Sequence, residues 1–261
     1  MSQSFDKLLS IMTKLRNPGG CPWDHEQTHT SLIPYLIEEA FETVDALESS
    51  NKEHIKEELG DLLLQIVFHA QIAEEEGSFN INNVIDSISE KLIRRHPHVF
   101  GNAQVKNASE VSANWEKIKA EEKKNTTPAS LLDSIPKSAP ALFQAYKITK
   151  KAAKAGFDWD KPEDVVKKME EELEEIKKAV QNKDNLNLRE EIGDFFFCIV
   201  NLARHLKVEP EEALRQTNHK FRNRFFRMEK CIQEDGKKFE TLTLKELDEY
   251  WNHIKKDLSI S

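Results

Sequence analysis

The sequence predicts an all-α protein built from two tandem, homologous helical-bundle modules, and three observations lead to this fold class. Apolar residues recur at helical spacing along nearly the whole chain, and no segment alternates convincingly as a strand would. The 261 residues include only 8 Gly and 9 Pro, which is lean in turn formers. An acidic pattern occurs twice at a constant offset, as a duplicated module requires.

The chain is expected to form about nine helices joined by short polar connectors. The clearest interruption of the helical pattern after the first hundred residues is the polar stretch KKNTTPASLL, residues 123–132, which contains Pro128 and suits an interdomain linker. We therefore predict an N-terminal module of residues 1–125 and a C-terminal module of residues 126–261.

Composition excludes several classes of protein. The formal net charge of −8 repels polyanions, so a phosphate ligand would need a local basic group or a metal, and nucleic-acid binding is disfavoured. The three cysteines are an odd number without a CxxC pair, which argues against a disulfide framework and favours the cytoplasm. The longest apolar run, residues 195–200, is too short for a membrane span, and the N-terminus lacks the features of a leader peptide.

The repeat begins with a Trp-Asp pair, in GGCPWD in the first module and in GFDWD in the second. Two acidic blocks follow: EEAFE (38–42) matches EELEE (171–175), and EELGD (57–61) matches EEIGD (190–194), both at an offset of 133. A basic helix and a Trp-containing helix complete each module. Their matched pairs are Lys91 with Lys220 and Arg95 with Arg224 at an offset of 129, and Trp115 with Trp251 and Lys119 with Lys255 at 136.

The first acidic block places carboxylates on one face of a helix, because Glu172 and Glu175 are three residues apart. Taken alone, this block is also what a solvated, charged helix face looks like. The second block is more informative, since Glu191 and Asp194 share a face and run directly into the apolar stretch FFFCIV. A helix that is apolar around most of its circumference is predicted to be buried, where unpaired carboxylates would cost several kcal/mol.

Carboxylates converging from two adjacent helices need cations, either basic side chains or a metal. Ligation by oxygen alone points to Mg²⁺, with Mn²⁺ as the alternative. Zinc would be expected to recruit His or Cys, and the histidines do not flank both acidic blocks at ligand spacing. Gly60 and Gly193, between the acids of the second block, predict the close approach of a helix or ligand, although simple tolerance of a glycine explains them too.

Basic and aromatic side chains in the second module suit a metal-bound polyphosphate. Lys220 and Arg224 are four residues apart, as are Trp251 and Lys255, so each pair shares a helix face. Arg can grip phosphate oxygens with two donors, and Trp offers a flat face to a base or to a neighbouring helix. Solvated basic residues around a core Trp are the alternative.

These motifs, together with GGCPWDHEQTHTSL and KLIRRHPHVFG, resemble the MazG nucleoside triphosphate pyrophosphohydrolases, which belong to the all-α pyrophosphohydrolase group with dimeric dUTPases. The resemblance spans nearly the entire chain. It implies Mg²⁺-dependent hydrolysis of ribo- and deoxyribonucleoside triphosphates between the α and β phosphates, a homodimer, and a C-terminal module that carries most of the activity.

Carried onto this chain, the resemblance implies two sets of acidic residues. The metal and catalytic residues would be Glu172, Glu175, Glu191 and Asp194, and the counterpart site would be Glu39, Glu42, Glu58 and Asp61. Nucleotide or phosphate contacts would come from Lys220, Arg224, Trp251 and Lys255. Relatives often carry a lysine shortly before the second acidic block, where this chain has Arg189.

The expected reaction is attack of water on the α phosphorus, with pyrophosphate leaving. One glutamate orients or deprotonates that water; Glu175 is our choice among acids that the sequence does not separate. A di-iron carboxylate bundle would need two Glu-x-x-His motifs, and only Glu26 with His29 fits. A non-enzymatic helical adaptor is the other alternative, and it leaves the duplicated carboxylate pairs unexplained.

Overall fold

The computed structural model describes residues 3–122 and 130–257, and within these ranges all regular secondary structure is helical. The predicted all-α class is therefore confirmed. The chain divides into two compact units, Met1–Thr126 and Thr127–Ser261, here called the N-terminal and C-terminal units. The predicted boundary between residues 125 and 126 lies outside the described residues.

The N-terminal unit contains seven α-helices in its described part. They are α1 (Gln3–Arg16), α2 (Pro22–Glu26), α3 (Ile33–Ser49), α4 (Lys52–Glu75), α5 (Ile81–Arg95), α6 (Pro97–Phe100) and α7 (Ala108–Glu122). Helix α4 packs against α1, α3 and α5, and α5 also contacts α7. The core of this unit lies around α4, with Val67 and Phe68 buried against Met12 of α1 and Ile81 of α5.

The C-terminal unit contains five α-helices and a short 3₁₀ helix (Phe239–Thr241) in its described part. The α-helices are α8 (Ala141–Lys154), α9 (Pro162–Asn182), α10 (Asn185–His205), α11 (Pro210–Glu234) and α12 (Leu244–Asp257). Helix α10 packs against α8, α9 and α11, and α11 packs against α12. The described ranges thus hold twelve α-helices instead of about nine, partly because α2 and α6 are only five and four residues long.

A sharp reversal between the two acidic helices occurs in both units at the offset of 133. Ser50 and Lys183 adopt left-handed backbone conformations, with φ of 56° and 55°, which end α3 and α9. The next residues cap the following helices: Asn51 accepts a hydrogen bond from the Glu53 backbone N–H at 3.1 Å, and Asp184 accepts one from that of Asn187 at 3.1 Å. The reversal lays each pair of helices side by side.

The prediction that the second acidic helix is buried is confirmed for the second half of α4 and was wrong for α10 within its unit. On α10, Phe196 is 56% exposed, and on α4, Leu59 is 49% exposed. Residues 67–73 of α4 are buried or half-buried all around the helix. On α10, Val200 is buried, but Phe197 and Ile199 are each 37% exposed, so this helix is covered on one face. Among the described helices, none combines the length and apolar character needed to cross a bilayer.

Candidate metal centre

The C-terminal unit brings three of the four predicted carboxylates together, and we call this group the C-terminal acidic cluster: Glu172, Glu175 and Glu191. Each offers one carboxylate oxygen, and these oxygens all lie within 4.8 Å of one another. Glu172 and Glu175 come from α9 and Glu191 from α10. Glu172 is only 4% exposed, so its charge must be compensated inside the protein.

The neighbouring acids of this cluster affect the pKa of Glu191. Burial, followed by the neighbouring charges of Glu175 and Glu172, raises the pKa of Glu191 above its usual value. Asp194, the fourth predicted ligand, lies outside the tight group with an exposed side chain, yet its charge also contributes to this shift. The cluster therefore holds more negative charge than its surroundings readily accommodate, which is what a cation would relieve.

Lys168 supplies part of that compensation and was missed by the sequence analysis. Its Nζ lies 2.8 Å from Glu172 Oε1 and 2.9 Å from Glu171 Oε1. Hydrogen bonds to Glu172 and Glu171 raise the pKa of Lys168, so it stays charged. The available signal was the spacing of four residues between Lys168 and Glu172. Comparison of the two modules does not reveal this lysine, because the offset of 133 pairs Lys168 with Tyr35 in the first module.

The N-terminal unit repeats the arrangement with a different set of neighbours. Glu39 of α3 lies with Glu58 and Asp61 of α4 in a second group of oxygens within 4.8 Å of one another, the N-terminal acidic cluster. Burial and the charge of Asp61 raise the pKa of Glu39. Glu58 Oε1 lies 3.1 Å from His54 Nε2. Glu42 has an exposed side chain outside the group, as Asp194 does in the other unit.

Both clusters fit a hard divalent cation. Their donors are carboxylate oxygens alone, which Mg²⁺ and Mn²⁺ accept and which zinc sites usually supplement with His or Cys. Burial, followed by the charges of neighbouring acids, raises the pKa of Glu191 and of Glu39, and a bound cation would oppose both effects. The oxygen chemistry predicted from the sequence is thus compatible with the geometry of three ligands in each unit.

The glycines of the second acidic block make no close contact within their units. A Cβ atom added to Gly60 or to Gly193 would meet no atom within 4 Å. No helix of the same unit therefore supplies the predicted close packing in the described structure. Two explanations of Gly60 and Gly193 remain: simple tolerance of a glycine in a helix, and the close approach of a ligand.

Helix α11 carries a basic groove. Its lining residues are Lys220, Asn223, Arg224, Phe226, Arg227 and Lys230. Helix α11 packs against α10, which carries Glu191, and against α12. Arg224 is half-buried, and its Nε is buried without a hydrogen-bond partner in the described part of the chain. An unsatisfied buried guanidinium N–H on a helix that packs against the helix of Glu191 is a candidate phosphate donor.

The other predicted nucleotide contacts are spread over two helices. Trp251 on α12 packs into the apolar cluster around Met228 and Ile232, with its ring centroid 5.0 Å from that of Phe221. Lys255 lies exposed one turn later on the same helix. Arg189 is exposed on the first half of α10, two residues before Glu191. Trp251 thus packs against the neighbouring helix α11, which is one of the two roles that the sequence analysis considered for it.

A family model described as the MazG nucleotide pyrophosphohydrolase domain matches residues 27–100 and 160–226. The two matched segments contain the N-terminal and C-terminal acidic clusters, one in each. This agrees with the tandem modules inferred from the offset of 133.

Proteins similar to this chain over nearly all of its length carry related names. A nucleoside triphosphate pyrophosphohydrolase/pyrophosphatase MazG from Thermotoga maritima is 51% identical over 96% of this chain and 95% of its own length. A nucleoside triphosphate pyrophosphohydrolase from Escherichia coli strain K12 is 45% identical over 96% of this chain and 97% of its own. A crystal structure of a mazG-related protein from Thermotoga maritima aligns with 44% of this chain and 98% of its own at 23% identity and a TM-score of 0.39.

Proposed function

The chain belongs to the MazG family of nucleotide pyrophosphohydrolases, and from that membership we propose that it hydrolyses ribo- and deoxyribonucleoside triphosphates to monophosphate and pyrophosphate. The proposed reaction depends on Mg²⁺, with Mn²⁺ as a possible substitute, and takes place mainly in the C-terminal unit. The observation that carries this proposal is the C-terminal acidic cluster, whose three carboxylates meet within 4.8 Å around the buried Glu172.

The metal would be held by Glu172, Glu175 and Glu191, with Asp194 beside them. When bound, it neutralises phosphate charge and lowers the pKa of a coordinated water. Among the protein groups, Glu175 is our proposed base: it is half-buried at the edge of the cluster and takes a proton from the attacking water. The water oxygen bonds to the α phosphorus as the bond to the bridging oxygen breaks, and pyrophosphate leaves with that oxygen.

The basic groove on α11 supports the binding of the phosphate chain. We propose that Lys220 and Arg224 hold phosphate oxygens, since Arg224 has an unsatisfied donor and Lys220 lines the same groove. Trp251 and Lys255 are proposed to contact the nucleotide from α12, and Arg189 to contact phosphate from the start of α10. A chain with a net charge of −8 attracts a triphosphate only through such local positive charge.

A homodimer is proposed from the apolar side chains that each unit leaves exposed. Phe196 and Ile192 on α10 are 56% and 40% exposed, and Leu173 on α9 is 41% exposed, although these helices also carry the acidic cluster. Exposed apolar patches of this kind usually lie in interfaces. Light scattering on purified protein should return twice the mass of the chain. The mass of one chain at micromolar concentration would contradict the dimer.

We also propose that the protein is located in the cytoplasm. Cys21, Cys198 and Cys231 are all unpaired in the structure, as expected in a reducing compartment.

Product analysis tests the proposed reaction. Purified protein is incubated with a mixture of nucleoside triphosphates, with and without Mg²⁺, and the phosphate products are separated. We expect equal amounts of monophosphate and pyrophosphate, formed only when Mg²⁺ is present. Diphosphate and inorganic phosphate would indicate cleavage at the wrong bond. No metal-dependent product from any nucleotide would contradict the hydrolase and favour a helical binding protein.

A further inference from the structure

The N-terminal unit contains a pair of arginines bound by a carboxylate of the same unit. Arg95 at the end of α5 is the counterpart of Arg224 in the sequence repeat, and Glu122 ends α7. Arg95 donates from Nε to Glu122 Oε2 at 3.2 Å and from Nη2 to the same oxygen at 2.5 Å. Arg94 donates from Nε to Glu122 Oε1 at 2.7 Å. Both oxygens of Glu122 are thus held by guanidinium groups.

This ion pair is largely sheltered from solvent. The side chains of Arg95 and Glu122 are 15% and 20% exposed. The Arg95 guanidinium also lies over the ring of Trp115, 5.1 Å from its centroid, and Trp115 is the counterpart of Trp251. Hydrogen bonds from Arg95 and Arg94 lower the pKa of Glu122 to about 2. Its carboxylate therefore stays charged throughout the neutral range.

The sequence of the second module differs at this place. The offset of 136 that matches Trp115 with Trp251 pairs Glu122 with Leu258, so the sequence of the second module has no carboxylate there. Arg224, by contrast, keeps a buried Nε without a partner in the described residues and lines an open groove. An arginine that donates to a carboxylate through Nε and Nη2 uses the pair of donors with which it would hold a phosphate.

We propose that Glu122 occupies the place of a substrate phosphate in the N-terminal unit, holding Arg95 and closing that unit to nucleoside triphosphates. The proposal rests on the proposed function, in which Arg224 is the phosphate contact of the C-terminal unit. It explains why only one of two similar acidic clusters would serve as an active site. The N-terminal acidic cluster keeps its oxygen donors, and Lys91 matches Lys220, but the counterpart of Arg224 is no longer available to hold the phosphate chain.

The test removes the Glu122 carboxylate from Arg95 with the substitution Glu122→Leu, made in the whole 261-residue chain. Leucine is the residue that the second module has at the matched position. The probe is an adenosine triphosphate analogue with a methylene bridge between the α and β phosphorus atoms, added with Mg²⁺. Equilibrium dialysis counts the nucleotides bound per chain. Phenylglyoxal modification followed by peptide mapping reports Arg95 and Arg224 separately. Glu121→Leu is the matched control, because Glu121 is an exposed neighbour with the same charge on the same helix.

We expect one nucleotide per chain in the wild type and in Glu121→Leu, and two in Glu122→Leu. Arg95 should resist modification in the wild type, become reactive in Glu122→Leu, and be protected there by the analogue. If Glu122→Leu does not fold, Glu122→Gln is used instead, because it keeps the shape of the side chain and removes its charge. The same increase in bound nucleotide and in Arg95 reactivity is expected. Variants that fold but give Arg95 no protection by nucleotide would overturn the proposal. A wild type that binds no nucleotide, with Arg224 unprotected, would instead contradict the proposed function of the C-terminal unit.

Discussion

The substitution Glu172→Gln should lower kcat/KM for nucleoside triphosphates by at least about 100-fold, which corresponds to ~2.7 kcal/mol of lost transition-state stabilisation. The amide keeps the size of the side chain but removes the charge from the most buried member of the C-terminal acidic cluster. Even residues that only support metal ligands typically cost 10- to 100-fold when changed, roughly the lower limit for a ligand itself. Pyrophosphate release at saturating Mg²⁺ measures the effect.

Two matched variants decide where the activity lies. Glu174→Gln removes a charge from the same helix, but Glu174 is exposed and paired with Lys177, so activity should remain within about 2-fold of the wild type. Glu39→Gln makes the same change in the N-terminal acidic cluster and should also retain activity. Loss in Glu39→Gln instead of Glu172→Gln would move the active site to the N-terminal unit. Full activity in both would exclude the acidic clusters from the reaction.

The repeat and the spacing of the acids were enough to predict the two acidic clusters. Glu172 and Glu175 share a face because they are three residues apart, and the duplicated EExGD block identified the helix that faces them. The structure places the oxygens of Glu172, Glu175 and Glu191 together, as this argument expects. Asp194 falls outside the tight group. Its position could not be predicted, because periodicity gives the face of a helix on which a residue lies, whereas tertiary packing sets how that face is rotated against the neighbouring helix.

Two features depend on contacts that no local pattern encodes. Glu122 meets Arg95 across 27 residues, through the packing of α7 against α5, so neither residue alone signals the pair. The burial of α10 was overestimated for a related reason. An apolar sequence shows that a helix will be covered, but its cover can come from the same unit or from another molecule, and within its unit α10 is covered on one face.

Lys168→Met should lower the free energy of unfolding by about 2 kcal/mol in the absence of divalent metal, because it leaves the buried Glu172 carboxylate without its cation. The loss is smaller than for a fully buried pair, since Lys168 is 35% exposed and solvent already screens part of the interaction. Urea unfolding of the metal-free protein measures it. Lys177→Met is the matched control: its pair with Glu174 is exposed on both sides, so its removal should leave the free energy of unfolding close to that of the wild type.

Adding Mg²⁺ should then reverse the defect, because the metal and Lys168 compensate the same carboxylate. A ligand at 100 times its dissociation constant stabilises the folded state by about 2.7 kcal/mol, enough to offset the lost ion pair. The metal-induced rise in unfolding temperature should therefore be larger for Lys168→Met than for the wild type or Lys177→Met. A variant as stable as the wild type without metal would show that Glu172 does not need Lys168. A destabilised variant that Mg²⁺ fails to rescue would show that the acidic cluster does not hold the metal, and this readout is independent of catalysis.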